Sequence, residues 1–458
     1  MKRFLLLLAM IVLPFIGTTN VQALERSQIL KVYNWADYIN PDVLNEFPSW
    51  YKEQTGEDVE IIYQTFDINE SMCTQIEVGH EDYDVICPSD YMIERMLKAG
   101  LLQKINRDYD STPDYTKLVS PFIEEQLQKV SHYTGSNISE YTVGYMWGTT
   151  GILYNTELVN RNDIISLGGL LDPKFEGKVF VKDAFRDVYS IVVLYVYREE
   201  INLGEVTRED LVANVTPERI KRVEKYLTDL KQNTAGWEVD FGKEEMTKGK
   251  AWLNLSWSGD ALWAIEQAKE VGVELDYIIP IEGSNIWFDG WCIPKYAVNT
   301  KAACYFINYL CMPENAIRNM EEIGYVSVIS SPEILEWAQD TTHDVIDLTY
   351  FFGEQADSAF VNPIMYPSSE TISRCAIMHD AGEMNTELIN MWNRVKGDNL
   401  NQGLVWFLVI IVLSGVVFAI YTVINKRVII EKQTKKKSKR KSKKSSLRHF
   451  YSHSNDLY

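Results

Sequence analysis

The fold of this chain is decided by residues 30–66, which have the sequence LKVYNWADYINPDVLNEFPSWYKEQTGEDVEIIYQTF. Two apolar runs at its ends flank an amphipathic segment that starts with Asn40 and Pro41 and stops at Gly56. Asn and Pro are common where helices begin and Gly where they end, so a helix at residues 42–55 is predicted between two strands. The alternation continues with a helix at residues 69–78, a strand at 84–89 and a helix at 91–99.

A second set of alternating elements begins near Gly151. Continuous apolar strands between amphipathic helices predict a mostly parallel sheet that is covered on both faces. The whole segment is too long for one such sheet, so two α/β lobes are expected. The predicted elements of the second set are strands at residues 152–155, 178–183, 251–258, 276–280 and 287–294 and helices at 217–232, 259–272 and 300–311.

The two ends of the chain predict export and a membrane anchor. Residues 1–23 combine Lys2 and Arg3 with an apolar run and small residues, as in a signal peptide. An uncleaved anchor or a buried helix is the alternative for this run. Residues 404–424 have no charged residue and are long enough for a transmembrane helix, with a buried core helix as the alternative.

A basic tail at residues 425–458 follows this apolar run at once, which favours the transmembrane helix and places the tail in the cytoplasm. Residues 25–400 are then expected in the periplasm, or on the outer face of the cytoplasmic membrane.

The formal net charge of −19 is concentrated outside these basic ends. A strongly acidic domain attracts a cationic ligand and argues against nucleic acid as its partner. The six cysteines show no metal-binding spacing, and buried free thiols are the expected state for most of them.

Aromatic and acidic residues follow five of the predicted strands. In open α/β sheets, ligands bind outside the carboxyl ends of the strands. Carboxylates and aromatic faces hold ammonium groups, and flat aromatic walls suit the methylenes between them, so the pattern predicts a linear polyamine ligand. The residues are Trp35, Asp37 and Tyr38; Ser89, Asp90 and Tyr91; Asp183 and Asp187; Trp257 and Asp260; and Trp287 and Asp289.

Each of these residues also has a structural explanation. The tryptophans could belong to the core, and Asp90 could cap a helix. Asp183 and Asp187 could be a cap and a first-turn charge, and Asp260 could cap a helix that begins at Ala261.

The same residues resemble the spermidine/putrescine-binding periplasmic proteins of ABC transporters, over most of residues 29–395. The motifs that carry the resemblance are VYNWADYI (32–39), TFDINESM (65–72), YDVICPSDYMIERM (83–96), GYMWGTTGILYN (144–155), WSGDALW (257–263), WFDGWCIP (287–294) and IGYVS (323–327).

The resemblance implies a two-lobed periplasmic-binding-protein fold, with the chain crossing between lobes and the ligand held in the cleft. It places residues 29–146 and 291–325 in lobe 1, and residues 150–288 and 326–400 in lobe 2.

The resemblance also implies the roles of the site residues. Trp35 and Trp287 are expected as walls around the alkyl chain, and Trp257 and Tyr325 as further aromatic lining. The hydrogen-bonding groups are Tyr38, Ser89 and Tyr91. The carboxylates for ammonium are Asp187 and Asp289.

The chain departs from the family pattern at two positions. It has Asp183 and Ala184 where the family often has two adjacent acids, and Met378 where spermidine binders have a ligand glutamine. Asp37 and Asp260 resemble the putrescine-type members, which favours a diamine slightly over a triamine.

The expected function is therefore to bind putrescine, spermidine or both and to deliver them to the permease subunits of an ABC transporter, as a monomer without cofactor or metal. A membrane-anchored polyamine sensor is the alternative, and an enzyme is a remote one. The sequence has no nucleophile-elbow, zinc-protease, dinucleotide-binding or P-loop motif, and no catalytic residue is predicted.

Overall fold

The chain begins with the predicted strand–helix–strand unit, formed by β1 (Ile29–Trp35), α1 (Pro41–Thr55) and β2 (Glu60–Phe66). The side chain of Asn40 accepts hydrogen bonds from the first backbone N–H groups of α1, and Gly56 ends the helix with a φ of 73°. Only a residue without a Cβ adopts this left-handed conformation at little cost. The two strands pair in parallel along their whole length.

The structure is a computed structural model that describes residues 25–239, 241–397, 409–422 and 435–437. The predicted signal peptide at residues 1–23 lies outside these residues, as does most of the predicted tail at residues 425–458. Contacts divide the chain into two units, and the boundary lies between Trp392 and Asn393.

The further strands, in chain order, are β3 (Val85–Ile86), β4 (Leu102–Gln103), β5 (Thr142–Asn155), β6 (Val179–Lys182), β7 (Thr234–Glu238), β8 (Leu253–Trp257), β9 (Leu275–Ile278), β10 (Asn285–Pro294), β11 (Val326–Ser327), β12 (Val345–Ile346), β13 (Ala359–Phe360) and β14 (Ala376–Ile377).

The further helices are α2 (Asn69–Glu77), α3 (Asp90–Lys98), α4 (Pro121–Thr134), α5 (Phe185–Val196), α6 (Arg198–Asn202), α7 (Arg208–Ala213), α8 (Pro217–Leu230), α9 (Phe241–Thr247), α10 (Ser258–Glu270), α11 (Thr300–Leu310), α12 (Pro313–Ile323), α13 (Pro332–Ala338), α14 (Thr349–Phe352), α15 (Ser369–Ile372) and α16 (Asn385–Gly397).

The main sheet has the strand order β2-β1-β3-β10-β5-β8-β6-β7. The pairs β1–β2, β1–β3, β6–β7 and β6–β8 are parallel, as predicted for strands between covering helices. The two long central strands, β5 and β10, pair antiparallel with each other. The two-lobed α/β fold is therefore confirmed.

The strands β5 and β10 carry the chain from one half of the sheet to the other. The first part of β5 pairs with β10, and its last residues, Thr150 to Tyr154, pair with β8. At the opposite end, Cys292 of β10 pairs with Ile86 of β3. The carboxyl ends of both sets of parallel strands therefore lie near the middle of the antiparallel pair β5–β10.

The lobe boundaries stay a prediction. The structure pairs β11 with Met146 and Trp147 of β5, and the backbone carbonyl of Phe351 accepts a hydrogen bond from Ser120. Residues 326–351 thus contact segments that the sequence places in lobe 1.

The helices cover the sheet through apolar faces that the sequence spacing predicts. In α1, the buried residues Val43, Phe47 and Tyr51 recur every four positions. The ring of Phe47 lies 5.1 Å from that of Phe306 in α11. Each such buried side chain contributes about 1.5–3 kcal/mol to the stability of the fold. All six cysteines are buried and unpaired.

The predicted transmembrane helix at residues 404–424 is corrected by the structure. Of this range, residues 409–422 are described, and they form a helix. Within the described part of the chain, no helix is both long and apolar enough to cross a membrane.

Candidate functional site

The buried carboxylate of Asp289 lies at the centre of the candidate site. It stands on β10 where the register against β5 shifts, between Asp289 and Gly290. Such irregularities re-aim a side chain relative to the regular pleat. The hydroxyl of Tyr38 donates to its Oδ2 over 2.8 Å, and that of Ser89 donates to its Oδ1 over 2.7 Å.

Burial raises the pKa of Asp289 to about 6, although the hydrogen bonds from Ser89 and Tyr38 oppose the rise and the charge of Asp187 adds to it. The groups that contact its two oxygens are hydroxyls, so the negative charge has no cationic partner among the described residues. A cation that enters the site would stabilise the ionised form.

A second buried carboxylate belongs to Asp187, in the first turn of α5. The side chain of Asn285 donates to its Oδ1 over 2.9 Å. Burial raises the pKa of Asp187, and the hydrogen bonds from Asn285 and Trp257 oppose the rise. Met378, which occupies the position of a family glutamine, lies with its sulfur 3.6 Å from the amide nitrogen of Asn285.

Asp90, which follows a predicted strand and has a helix cap as its alternative role, is a third buried carboxyl group. The N-cap of α3 is Ser89, while Asp90 is fully buried in the first turn. Its Oδ1 accepts from the backbone N–H of Tyr91 over 2.6 Å, and its Oδ2 has no hydrogen-bond partner. Burial, with smaller contributions from Asp187 and Asp289, raises its pKa well above the usual range. A helix cap and a buried acid look alike in sequence, so no signal separated them.

Aromatic rings surround the Asp289 carboxylate. The ring centroid of Tyr325 lies 5.4 Å from that of Trp287 and 5.4 Å from that of Tyr38. The indole nitrogen of Trp287 is buried without a hydrogen-bond partner. These rings pack edge to face, at interplanar angles of 82° and 60°, and place apolar surface near a negative charge.

Tyr91 joins this cluster through Asn69. The amide nitrogen of Asn69 donates to the Ser89 hydroxyl over 3.1 Å and to the Tyr91 hydroxyl over 3.2 Å. The Tyr91 hydroxyl in turn donates to Oε1 of Glu70 over 3.4 Å. Glu70 therefore adds a fourth carboxyl group to this side of the cleft.

Asp260 has internal partners for both of its oxygens. Oδ2 lies 2.6 Å from Nζ of Lys182, and Oδ1 lies 3.4 Å from Nζ of Lys243. The Tyr325 hydroxyl donates to Oδ1 over 2.9 Å. Because α10 begins at Ser258, Asp260 lies in its first turn rather than at its cap.

Three predicted residues have other neighbours. The ring of Trp35 packs 4.5 Å from that of Phe66. Asp183 accepts a hydrogen bond from the indole of Trp392 over 2.8 Å. Asp37 is exposed and has a φ of 50°, an uncommon conformation for a residue other than glycine.

The structure thus brings most of the predicted residues into one connected cluster, in which Asn69 links Tyr91 to the rest and Lys182 links Trp257 and Asp187 to Asp260. The members of this acidic–aromatic cluster are Tyr38, Ser89, Tyr91, Asp187, Trp257, Asp260, Trp287, Asp289 and Tyr325.

Comparison with known proteins defines the class to which this fold and site belong. The chain belongs to the bacterial extracellular solute-binding proteins, a family whose pattern matches residues 49–343. This family consists of solute-binding proteins rather than enzymes.

Particular relatives bind polyamines according to their names. The chain is 25% identical over 379 residues to the spermidine/putrescine-binding periplasmic protein of Escherichia coli, covering 81% of this chain and 92% of that protein. It is 28% identical to the putrescine-binding periplasmic protein PotF of Escherichia coli, covering 65% of this chain and 77% of that protein.

A solved structure shows the same fold. The spermidine/putrescine ABC transporter substrate-binding protein PotD of Streptococcus pneumoniae matches with a TM-score of 0.59 and 26% identity, covering 81% of this chain and 98% of that protein.

Proposed function

We propose that this protein binds a polyamine of the putrescine or spermidine kind outside the cytoplasm and delivers it to the permease subunits of an ABC transporter. The observation that carries the proposal is Asp289, a buried carboxylate whose two oxygens contact hydroxyls and whose charge lies beside Asp187 and Asp90. Such a site attracts a cation. The polyamine names of the relatives support the same ligand class.

The proposed binding reaction exchanges water around one ammonium group for the ionised carboxylate of Asp289. A hydrogen bond to a charged group contributes about 1.5–3 kcal/mol, and an aromatic face beside the cation adds about 0.5–2 kcal/mol. Tyr38 and Ser89 hold the carboxylate in place through their hydroxyls. The rings of Trp287 and Tyr325 would line the alkyl chain, because flat aromatic surfaces bury methylenes at low entropic cost.

The extracytoplasmic location and the transporter partner rest on the family and on the names of the relatives. The acidic composition supports both proposals, since it raises the local concentration of a polycation near the cleft. We propose the acidic–aromatic cluster as the ligand-binding site, with Trp35, Asp37 and Asp183 at its periphery.

Calorimetric titration of the purified protein is expected to show polyamine binding with a Kd of about a micromolar or lower, because several charged and aromatic contacts can supply the required roughly −8 kcal/mol. The panel is putrescine, cadaverine, spermidine and spermine, with a neutral diol of matched length as the control. The absence of both heat and a thermal shift with all four amines would contradict the proposal.

Binding is expected to weaken as the pH falls, by about tenfold between pH 7 and pH 5. The physical reason is the pKa of Asp289, which burial raises to about 6, so that most of the carboxylate is protonated at pH 5. The amines stay charged over this range, and Asp187, whose pKa is also raised by burial, shifts the affinity in the same direction. Titrations at pH 5, 6 and 7 check this, with Asp289→Asn as the control with a flatter profile. An affinity that is unchanged or higher at pH 5 would show that Asp289 does not receive the cation.

A further inference from the structure

The acidic–aromatic cluster contacts an ammonium group of the protein itself, that of Lys182. This residue ends β6 and is fully buried. Its Nζ lies 2.6 Å from Oδ2 of Asp260 and 3.2 Å from Oε1 of Glu238, and it also donates to the backbone carbonyl of Val239. The ring centroid of Trp257 lies 4.5 Å from the same nitrogen.

These surroundings are those expected for the ammonium of a bound amine. Two carboxylates, a carbonyl oxygen and an aromatic face together replace the water that a cation loses on burial. Burial would lower the pKa of the Lys182 amine, but Asp260 and Glu238 outweigh burial and raise it, so the group is charged. The position that could hold a second ligand ammonium is therefore occupied.

Lys182 is connected to Asp289 through Asp260, Tyr325 and Tyr38. Tyr325 donates to Asp260, the partner of Lys182, and its ring also packs against Trp287 and Tyr38. Trp257, which faces the Lys182 ammonium, also makes a hydrogen bond to Asp187. The aromatic residues Tyr325 and Trp257 thus lie between the carboxylates without a cationic partner, Asp289 and Asp187, and the pair of Asp260 with Lys182.

We propose that Lys182 determines ligand specificity by acting as a built-in cation, so that the cleft recognises one ammonium group and gains little from a second one placed near Asp260. The inference rests on the proposed function, and it narrows the ligand class to amines bound mainly through a single ammonium at Asp289 and Asp187. A further charge on the ligand has to lie beyond the reach of Lys182, since two ammonium groups repel each other in a buried site.

The experiment compares putrescine with butylamine, which has the same four-carbon chain but one ammonium. In the unaltered protein, replacing putrescine by butylamine is expected to weaken binding less than tenfold. In Lys182→Met, Glu238 and Asp260 lose the cation that they share, and Asp260 keeps only the more distant Lys243 at 3.4 Å, so the second ammonium of putrescine can take the vacated place. The preference for putrescine over butylamine is then expected to rise at least tenfold.

Two variants control this result. Lys182→Arg keeps the charge and is expected to keep the preference of the unaltered protein. The double variant Lys182→Met/Asp260→Asn removes both charges of the pair and is expected to lose the gain, because the vacated position then has one carboxylate fewer.

The outcomes separate the two proposals. A folded Lys182→Met protein with an unchanged preference overturns the inference and leaves polyamine binding intact. No binding of any amine by the unaltered protein overturns the proposed function and the inference with it. If Lys182→Met does not fold, the test is the ligand preference of the unaltered protein. A tenfold or greater preference of that protein for putrescine over butylamine overturns the inference.

Discussion

Replacing Asp289 by asparagine is expected to weaken polyamine binding by about 1.5–3 kcal/mol, the contribution of a hydrogen bond to a charged group. Asparagine has nearly the same shape. Tyr38 and Ser89 donate to different carboxylate oxygens in the native protein, so the amide oxygen of asparagine can accept from one of these hydroxyls and its amide nitrogen can donate to the other. The change therefore removes the charge and leaves the packing. Calorimetry with putrescine and spermidine measures the loss.

The same variant is expected to be at least as stable as the native protein without ligand at pH 7. Because burial raises the pKa of Asp289 to about 6, the native fold binds a proton more tightly than the unfolded chain. Its stability therefore decreases as the pH rises from about 4 to about 6, by up to roughly 3 kcal/mol, and asparagine removes this dependence. A collapse of the Tm without ligand would show that Asp289 is structural.

Asp276→Asn is a matched control for this prediction. Asp276 also stands on a strand and accepts a hydrogen bond from a tyrosine, Tyr154, over 2.7 Å, but its other partners are the surface residue Arg161 and the backbone N–H of Tyr277. We expect its polyamine affinity to equal that of the native protein. An equal loss in both variants would point to a general electrostatic effect rather than contact with the ligand.

Glu94→Ala is expected to destabilise the protein by about 2–6 kcal/mol, because two hydrogen-bond donors at this buried residue lose their acceptor at about 1–3 kcal/mol each. Glu94 lies buried in α3, and its Oε2 lies 2.9 Å from Nδ1 of His379 and accepts the backbone N–H of Asp380 over 3.2 Å. Lys98 donates to its other oxygen over 2.5 Å. The variant leaves these donors without their acceptor and loosens the segment after β14 from α3.

Chemical denaturation without ligand measures this loss, and Glu46→Ala is the control. Glu46 forms a two-point ion pair with Arg318 at 2.8 Å and 3.0 Å, but on the surface. Exposed pairs contribute little because solvent screens them, so this control should unfold at nearly the native denaturant concentration. Similar losses of stability in Glu94→Ala and Glu46→Ala would contradict the prediction that burial makes the contacts of Glu94 more important for stability than those of Glu46.

Local pattern was sufficient to predict the strand–helix–strand units. The apolar runs and helix-terminal residues around β1, α1 and β2 lie within a few positions of the structure they specify, and the helix ends at Gly56 as expected. The predicted transmembrane span at residues 404–424 was wrong, since no helix among the described residues is both long and apolar enough to cross a membrane.

The type of each site residue was also readable from the sequence, but the charge balance of the site was not. Asp187, Asp260 and Asp289 look equivalent as acids at strand ends. Only the pairing of β6 with β8 brings Lys182 into an ion pair with Asp260, while Asp289 accepts hydrogen bonds from hydroxyls alone.

The sequence by itself determined the alternating α/β elements, the family and the acidic and aromatic character of the cleft, because periodicity, caps and composition are properties of neighbouring residues. Tertiary structure alone decided that Asp260 is neutralised by Lys182 while Asp289 is free of a cationic partner among the described residues. It also decided that Asp90 is buried without a hydrogen-bond partner for Oδ2. The reason is that pairing and burial depend on residues distant in the chain, such as Lys182 and Asp260, which meet only when β6 pairs with β8.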